Sequence, residues 1–298
     1  MADQPEVLIA GATGYIGGLL ARALCRDSVA VRALARDPSR AGELDAEGVE
    51  VVQGDVLKAE TLPPALDGIK LAYYLVHSMG RGGDRDFAER DANAAENFAQ
   101  AAGDAGVERI AYLGGLGEPN SEHLKSRHHT AEVLGRGKPE LTYFRAAAVL
   151  GSGSESFRVV YNLVRRLPVM VTPRWVSTRT QPIAVDDVVA YLRGARDVAE
   201  SAGREIEIGG PEVTTYGGMM ERMAAALDRR APVRIPVPLL TPHLSSLWVG
   251  LVTPVDAGVA QPLIEGLATE TVIRDRSGMA LFDVEPIGID EAMRRALD

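Results

Sequence analysis

The sequence predicts an α/β fold, a doubly wound parallel sheet followed by a smaller C-terminal lobe. Three observations predict it. Short apolar runs alternate with helix-length segments through the first half of the chain. Such alternation implies βαβ units with right-handed crossovers. The runs are short and apolar, the pattern of strands covered on both faces. After about Gly151 the rhythm changes, and prolines cluster at 168, 173 and 182, then at 211, 232, 236, 238 and 242.

The predicted strands are Val7–Ala10, Val29–Leu34, Val49–Gln53, Leu71–Val76, Arg109–Leu113 and Leu141–Arg145. A long polar helix is expected over Asp84–Gly106, with Gly106 as its stop. "QPIAVDDVVAYLRGA" reads as a short strand or loop and then a helix from Asp186. "REIEIGG", Arg204–Gly210, reads as a strand returning to the sheet. The expected division is a sheet domain over 1–150 plus 186–210, and a lobe over 151–185 plus 211–298.

Composition bounds the function. The chain has 298 residues and a formal net charge of -9. An acidic chain is poorly suited to a phosphate backbone, so nucleic acid is not expected as a partner. Cys25 is the only cysteine, so no internal disulfide forms, which suits a reducing cytoplasm. It sits in the first predicted helix, where a buried, inert thiol is expected. "MADQP" leads straight into a strand, without the basic and apolar regions of a signal peptide. The uncharged run Val237–Val255 is long enough to span a bilayer, but three prolines, a histidine and two serines favour a lid or core segment. The expected state is a cytoplasmic monomer or homodimer that acts on a small molecule.

"EVLIAGATGYIGGLLARAL", Glu6–Leu24, reads as strand, Gly-rich turn and helix. Gly11 permits the tight turn, Gly14 lets the backbone approach a pyrophosphate, and Gly17 lets helix pack on strand. The first N–H groups of the helix then face the phosphates. This is a Rossmann-type dinucleotide site, with Thr13, Tyr15 and Ile16 in the turn. The second strand ends "ALARDPSR", where Arg36 is the first charged residue and Arg40 follows. A guanidinium forks onto a 2′-phosphate, so NADP(H) is expected. Asp37, one place late for a ribose-binding carboxylate, leaves NAD(H) open. In "QGDVL", Asp55 is placed to accept from an adenine amino group with Val56 against the ring; a helix N-cap is the other reading of Asp55. "YYLVHSMG" brings Val76, His77, Ser78 and Met79 to the sheet's switch point, beside the nicotinamide half.

These residues resemble the short-chain dehydrogenase/reductase superfamily. The motifs are "GATGYIGG", "GDV", "YYLVHSM", "RIAYLGGLG", "FRAAAVLGSGS", "QPIAVDDVV" and "IEIGG". They are similar to its atypical NAD(P)H-binding branch, near the NmrA-like and epimerase-like proteins. "VHSMG", "YLGGLG" and "LPVMVTPRW" resemble a bacterial subgroup described as NAD(P)H-binding oxidoreductases. The resemblance implies a Ser on the fifth strand and a Tyr-x-x-x-Lys on the next helix. None of the eight tyrosines has a lysine four residues on. Aligning Glu132 of "SEHLKSRHHTAEVLG" with the family's Glu puts Leu124 at the Tyr position and His128 at the Lys position. The serine position falls at Gly114 or Gly115, and Gly114 then borders the cofactor.

His128 and His77 are therefore the candidate proton donors, with His128 also a cofactor contact. The cluster His123, His128 and His129 lacks the spacing of a metal motif, and no metal is expected. Arg145, Arg174, Trp175, Arg179 and Gln181 are the expected substrate side, by resemblance to extended members of the family. Apolar residues of "LLTPHLSSLWVGLV" are expected to wall the cleft. The leading reading is an NADPH-dependent reductase of a carbonyl or conjugated hydrophobic molecule, without the usual triad. A second is a non-catalytic NADP(H)-binding sensor or assembly protein. Sugar epimerisation, which needs a tyrosine to shuttle a proton, ranks third.

Overall fold

A computed structural model describes residues 5–77, 87–236 and 266–298. Its centre is a parallel sheet. The first strands are β1 (Val7–Ala10), β2 (Val31–Ala35), β3 (Glu50–Gln53) and β4 (Leu71–Tyr74). β5 (Arg109–Gly115), β6 (Glu140–Ala146) and a later strand, β11 (Glu205–Ile208), complete it. The seven strands run in the order β11-β6-β5-β4-β1-β2-β3. Every predicted strand is present, and the "IEIGG" strand does return to the sheet edge beside β6. The edge strand β3 differs from expectation: Glu50 and Gln53 are exposed, because an edge has a neighbour on one side only.

Helices cover both faces. α1 (Tyr15–Arg26) packs against α7 (Val185–Gly194) on one face. α4 (Phe87–Asp104) packs against α5 (Glu122–Gly135) on the other. The first face buries Ile9, Leu20, Tyr73, Phe144 and Leu192. The second buries Leu8, Leu66, Tyr74, Phe98 and Tyr112. Alternate residues of β1 and β4 thus serve opposite cores, which is the period-two logic of a strand covered twice. Gly106 takes a φ of +78° after α4, so the expected stop is a left-handed glycine. Start residues 84–86 of that expected helix lie outside the described residues.

A third core forms beyond β7 (Val149–Leu150). α6 (Glu155–Arg166), α8 (Tyr216–Ala226) and a last helix, α9 (Ile289–Leu297), enclose Leu163, Met170, Trp175, Met220, Met223 and Met293. Residues near Phe282, expected with this lobe, pack on the sheet instead: Phe282 contacts the rings of Phe144 and Tyr191. The run 237–255 lies outside the described residues. Among those described, no helix is long and apolar enough to cross a membrane.

Candidate active site

The strand order reverses between β1 and β4, and the cleft opens there, at the carboxyl ends of the strands. Gly11 follows β1 with a φ of +98°. A Cβ on it would lie 2.7 Å from Leu75 O, at the end of β4. Glycine is therefore required twice over, for the backbone conformation and for the close approach. A Cβ on Gly17 would strike Gly11 O, so α1 can start this close to β1 only with glycine there. Gly14 is the N-cap of α1, and no side chain caps that end. The first N–H groups of the helix are left for an anion.

Two cavities meet at this turn, sharing Gly11, Gly14, Tyr15, Leu75 and His77. The first, about 490 Å³, reaches over β2 and β3 and is lined by Thr13, Arg36, Arg40, Asp55, Val56 and Val76, among others. The second, about 290 Å³, reaches over β4 and β5 toward Ile16, Gly17, Gly114, His123, Arg127 and Val149. Tyr15 closes the back of it: a Cβ on Gly153 would run into its ring, so this loop after β7 is tied to the Gly-rich turn. A larger concavity of about 770 Å³ lies at the opposite end of the sheet. Its cations Lys70 and Arg196 are paired, with Glu6 and Asp197. Parallel sheets bind ligands at the other end.

Most residues expected at the cofactor do line the two cavities. Ser78 lies outside the described residues. Asp55 caps no helix. Its Oδ1 accepts from Leu57 N at 3.1 Å, an Asx turn, and the N-cap positions of the next helical turns fall at Lys58 and Leu62. Asp37 is turned away from the cleft. Its Oδ1 accepts from Ser39 N and Ser39 Oγ, at 3.1 and 2.7 Å, and these bonds hold its carboxyl below the usual range. Arg36 and Arg40 line the cavity with no carboxylate at salt-bridge distance among the described residues.

His128 stands outside the cavity wall. Its Nε2 lies 3.2 Å from Gly117 O and 3.2 Å from Arg145 Nη2. One tautomer donates to the carbonyl and the other accepts from the arginine, so only one contact is a hydrogen bond at a time. Burial, then Arg145, pushes its pKa down. The residues that α5 turns into the cleft are His123 and Arg127. They satisfy the same i, i+4 spacing as Leu124 and His128, one residue earlier. The helix phase is set by Ser121, whose Oγ accepts from Leu124 N at 3.2 Å. Leu124 is then buried, with Cδ2 2.6 Å from where a Cβ on Gly115 would stand. Alignment on Glu132 alone misses this phase; the His-x-x-x-Arg spacing in "EHLKSRHH" was the available signal.

Burial, then Arg127, lowers the His123 pKa to about 3, so the ring is neutral at neutral pH. Arg127 Nη1 donates to Leu113 O at a long 3.4 Å, and no carboxylate lies at salt-bridge distance among the described residues.

The expected substrate residues are not gathered around the cleft. Arg145 pairs with Glu205 and Glu207 and donates to Gly117 O. Arg179 pairs with Glu270. Gln181 is buried, donating to Gly210 O and accepting from Ile273 N. Trp175 lies in the third core, and Arg174 is exposed. The chain's excess of carboxylates takes up two of these arginines.

A family model described as NAD(P)H-binding matches residues 11–150. A ceramide reductase of Caulobacter vibrioides is 32% identical over 62% of this chain and 59% of its own. Subunit 9 of the NADH dehydrogenase 1 alpha subcomplex of Arabidopsis thaliana is 27% identical over 77% of this chain and 60% of its own. An NAD(P)H azoreductase of Xenophilus azovorans is 41% identical, over 21% of this chain and 22% of its own. The chain thus spans from 22% to 60% of the length of these curated relatives. Among solved structures, a Citrobacter triphenylmethane reductase matches with a TM-score of 0.78 at 18% identity, covering 98% of this chain and 99% of its own. The Escherichia coli quinone oxidoreductase QOR2, solved with NADPH, matches at 0.77 and 18%, covering 98% and 100%. At such identities the structures speak for the fold. Residues 11–150 match the NAD(P)H-binding family model, and the chain carries the Rossmann-like fold that these solved reductases share.

Proposed function

We propose that the protein is an NADPH-dependent reductase of a carbonyl or conjugated, largely hydrophobic small molecule, working without the Ser/Tyr/Lys set. The observation that carries this is the pair of cavities meeting at the Gly-rich turn. One is lined by two arginines with no carboxylate at salt-bridge distance among the described residues, and the other by apolar Leu113, Ala146 and Val149 among others. A 2′-phosphate answers Arg36 and Arg40, while Asp37 is occupied by its own turn and is not offered to a ribose. The bound cofactor supplies a hydride. The chain's part is to hold it at the turn through Gly14–Gly17, to exclude water with the apolar wall, and to orient a substrate over β4 and β5. On this reading, 1–150 with 186–210 holds the cofactor and the rest of the chain shapes the substrate side. The test is NADPH oxidation, followed by absorbance, with a panel of quinones, enones and ketones. Turnover with at least one, and preference for NADPH over NADH, is the expected result; no turnover with any overturns it.

The second reading, a non-catalytic NADP(H) module, draws on Gly114 and Gly115, where an added side chain meets Tyr143 and Leu124, and on the likeness to a subunit of an NADH dehydrogenase subcomplex. It requires that NADP⁺ and NADPH bind with different affinities, or change a partner's binding, in the absence of turnover.

A further inference from the structure

The second cavity holds a feature that cofactor binding leaves unused. Arg127 is a half-buried cation in a cleft, and among the described residues no carboxylate lies at salt-bridge distance from it. In a chain of net charge -9, most buried or half-buried arginines are answered, as Arg32 is by Glu50 and Arg145 by Glu205. A half-buried cation without an ion-pair partner costs free energy, and an anion entering the cleft would recover part of it. One helical turn away, His123 presents a neutral imidazole, which always carries one N–H. The rest of the lining mixes apolar Leu113, Ala146 and Val149 with His77, Ser154, Ser156 and Glu155, whose carboxylate faces Arg158 at 3.8 Å.

The cofactor's pyrophosphate is not the anion Arg127 waits for. Arg127 is anchored at Leu113 on β5, and β5 is two strands from β1 in the sheet. Two strand spacings are about 10 Å, too far for one guanidinium to serve both places.

We infer that His123 and Arg127 form an oxyanion site for the substrate: they bind the oxygen that gains negative charge when the neighbouring carbon is reduced. This rests on the reductase reading and adds to it the class of substrate, a ketone, enone or quinone whose reducible oxygen becomes an alkoxide, enolate or phenolate. In the step, a hydride bonds to the carbonyl carbon, or to the conjugated carbon of an enone or quinone. The C=O π pair moves onto oxygen, the reduced cofactor becomes NADP⁺, and water supplies the proton that oxygen then takes. His123 gives a hydrogen bond and Arg127 a charge, both stronger toward the oxyanion than toward the neutral carbonyl.

The test uses a probe that needs no turnover. 4-Nitrophenol is titrated into the full chain saturated with NADP⁺, and its phenolate absorbance is read. The wild type is expected to bind the phenolate and lower the probe's apparent pKa. Arg127→Met and His123→Phe are each expected to weaken phenolate binding at least about tenfold. Arg127→Lys and His123→Asn, which keep the charge and the N–H, recover part of it. NADP⁺ affinity stays within about twofold in all four, which also reports that they fold. Where a substrate is turned over, Arg127→Met lowers kcat about a hundredfold with KM little changed. Phenolate binding without turnover sinks the reductase reading and leaves the oxyanion site standing. No phenolate binding by wild type, or binding indifferent to both residues, overturns the site. So does an Arg127→Met variant that loses NADP⁺ as strongly as phenolate, since the arginine would then hold the cofactor.

Discussion

The hydroxyl of Tyr143 fills the space beside Gly114: a Cβ on that glycine would lie 2.8 Å from the oxygen and 2.7 Å from ring carbon Cε2. Tyr143 is stacked on Tyr112 and buried, and its hydroxyl has no hydrogen-bond partner among the described residues. Gly114, one of the two positions the resemblance aligns with a reductase serine, is thus closed by a side chain of the neighbouring strand. Gly114→Ser should cost about 1–3 kcal/mol through overpacking. Tyr143→Phe should not rescue it, because the Cε2 contact stays, whereas Tyr143→Leu should. Thermal denaturation of the single and double variants distinguishes these outcomes.

On the proposed reading, Arg36 and Arg40 carry the cofactor preference. Replacing both by alanine should weaken NADPH binding by about ten- to a hundredfold, the worth of charge-assisted hydrogen bonds, and leave NADH nearly untouched. Fluorescence titration with each cofactor measures the ratio. Equal loss for both would mean that the arginines do not meet a 2′-phosphate.

Gly11→Ala should damage both folding and binding. The φ of +98° is unfavourable for alanine, and the new methyl meets Leu75 O at 2.7 Å. A loss of about 2 kcal/mol or more is expected in chemical denaturation, with NADPH binding weakened in parallel.

His128→Ala should change NADPH affinity by less than about twofold, because the ring lies outside both cavities. The effect should fall on stability. His128 has its folded pKa pushed down by burial and Arg145. The unfolded chain therefore binds more protons, and stability is lost as pH falls below the ordinary histidine value of about 6.5. Removing the imidazole should flatten that slope in melting temperature against pH.

Asp187 works with the opposite sign. Burial raises its pKa to about 6, although its carboxylate accepts from Ile287 N at 3.0 Å. Asp186 raises it further, and Arg295 opposes. A carboxyl whose folded pKa lies above its unfolded one takes stability away as pH rises from about 4 to about 6. Asp187→Asn keeps the acceptor and removes the charge. It should stabilise the protein above pH 6 by on the order of 1 kcal/mol, and leave it unchanged near pH 3. Urea denaturation at the two pH values checks the sign.

The strands, the parallel sheet and the Gly-rich turn were legible in the chain. Each rests on a local rule: apolar runs of strand length, alternation with helices, and glycines where no side chain fits. The arginines after β2 were legible for the same reason, since their place at a strand end follows from the sheet. Some roles needed the fold. Arg145 and Gln181 look like binding residues in sequence, yet Glu205 and Gly210, distant along the chain, engage them. Asp37 could have held a ribose, but a serine two residues on takes its carboxylate.

Which residues of α5 face the cleft depended on how the helix is seated on the sheet. A helix advances about 100° per residue, so an error of one place replaces Leu124 and His128 with His123 and Arg127. The spacing was fixed by the chain. The phase was set by the Ser121 cap and by Leu124 packing over Gly115.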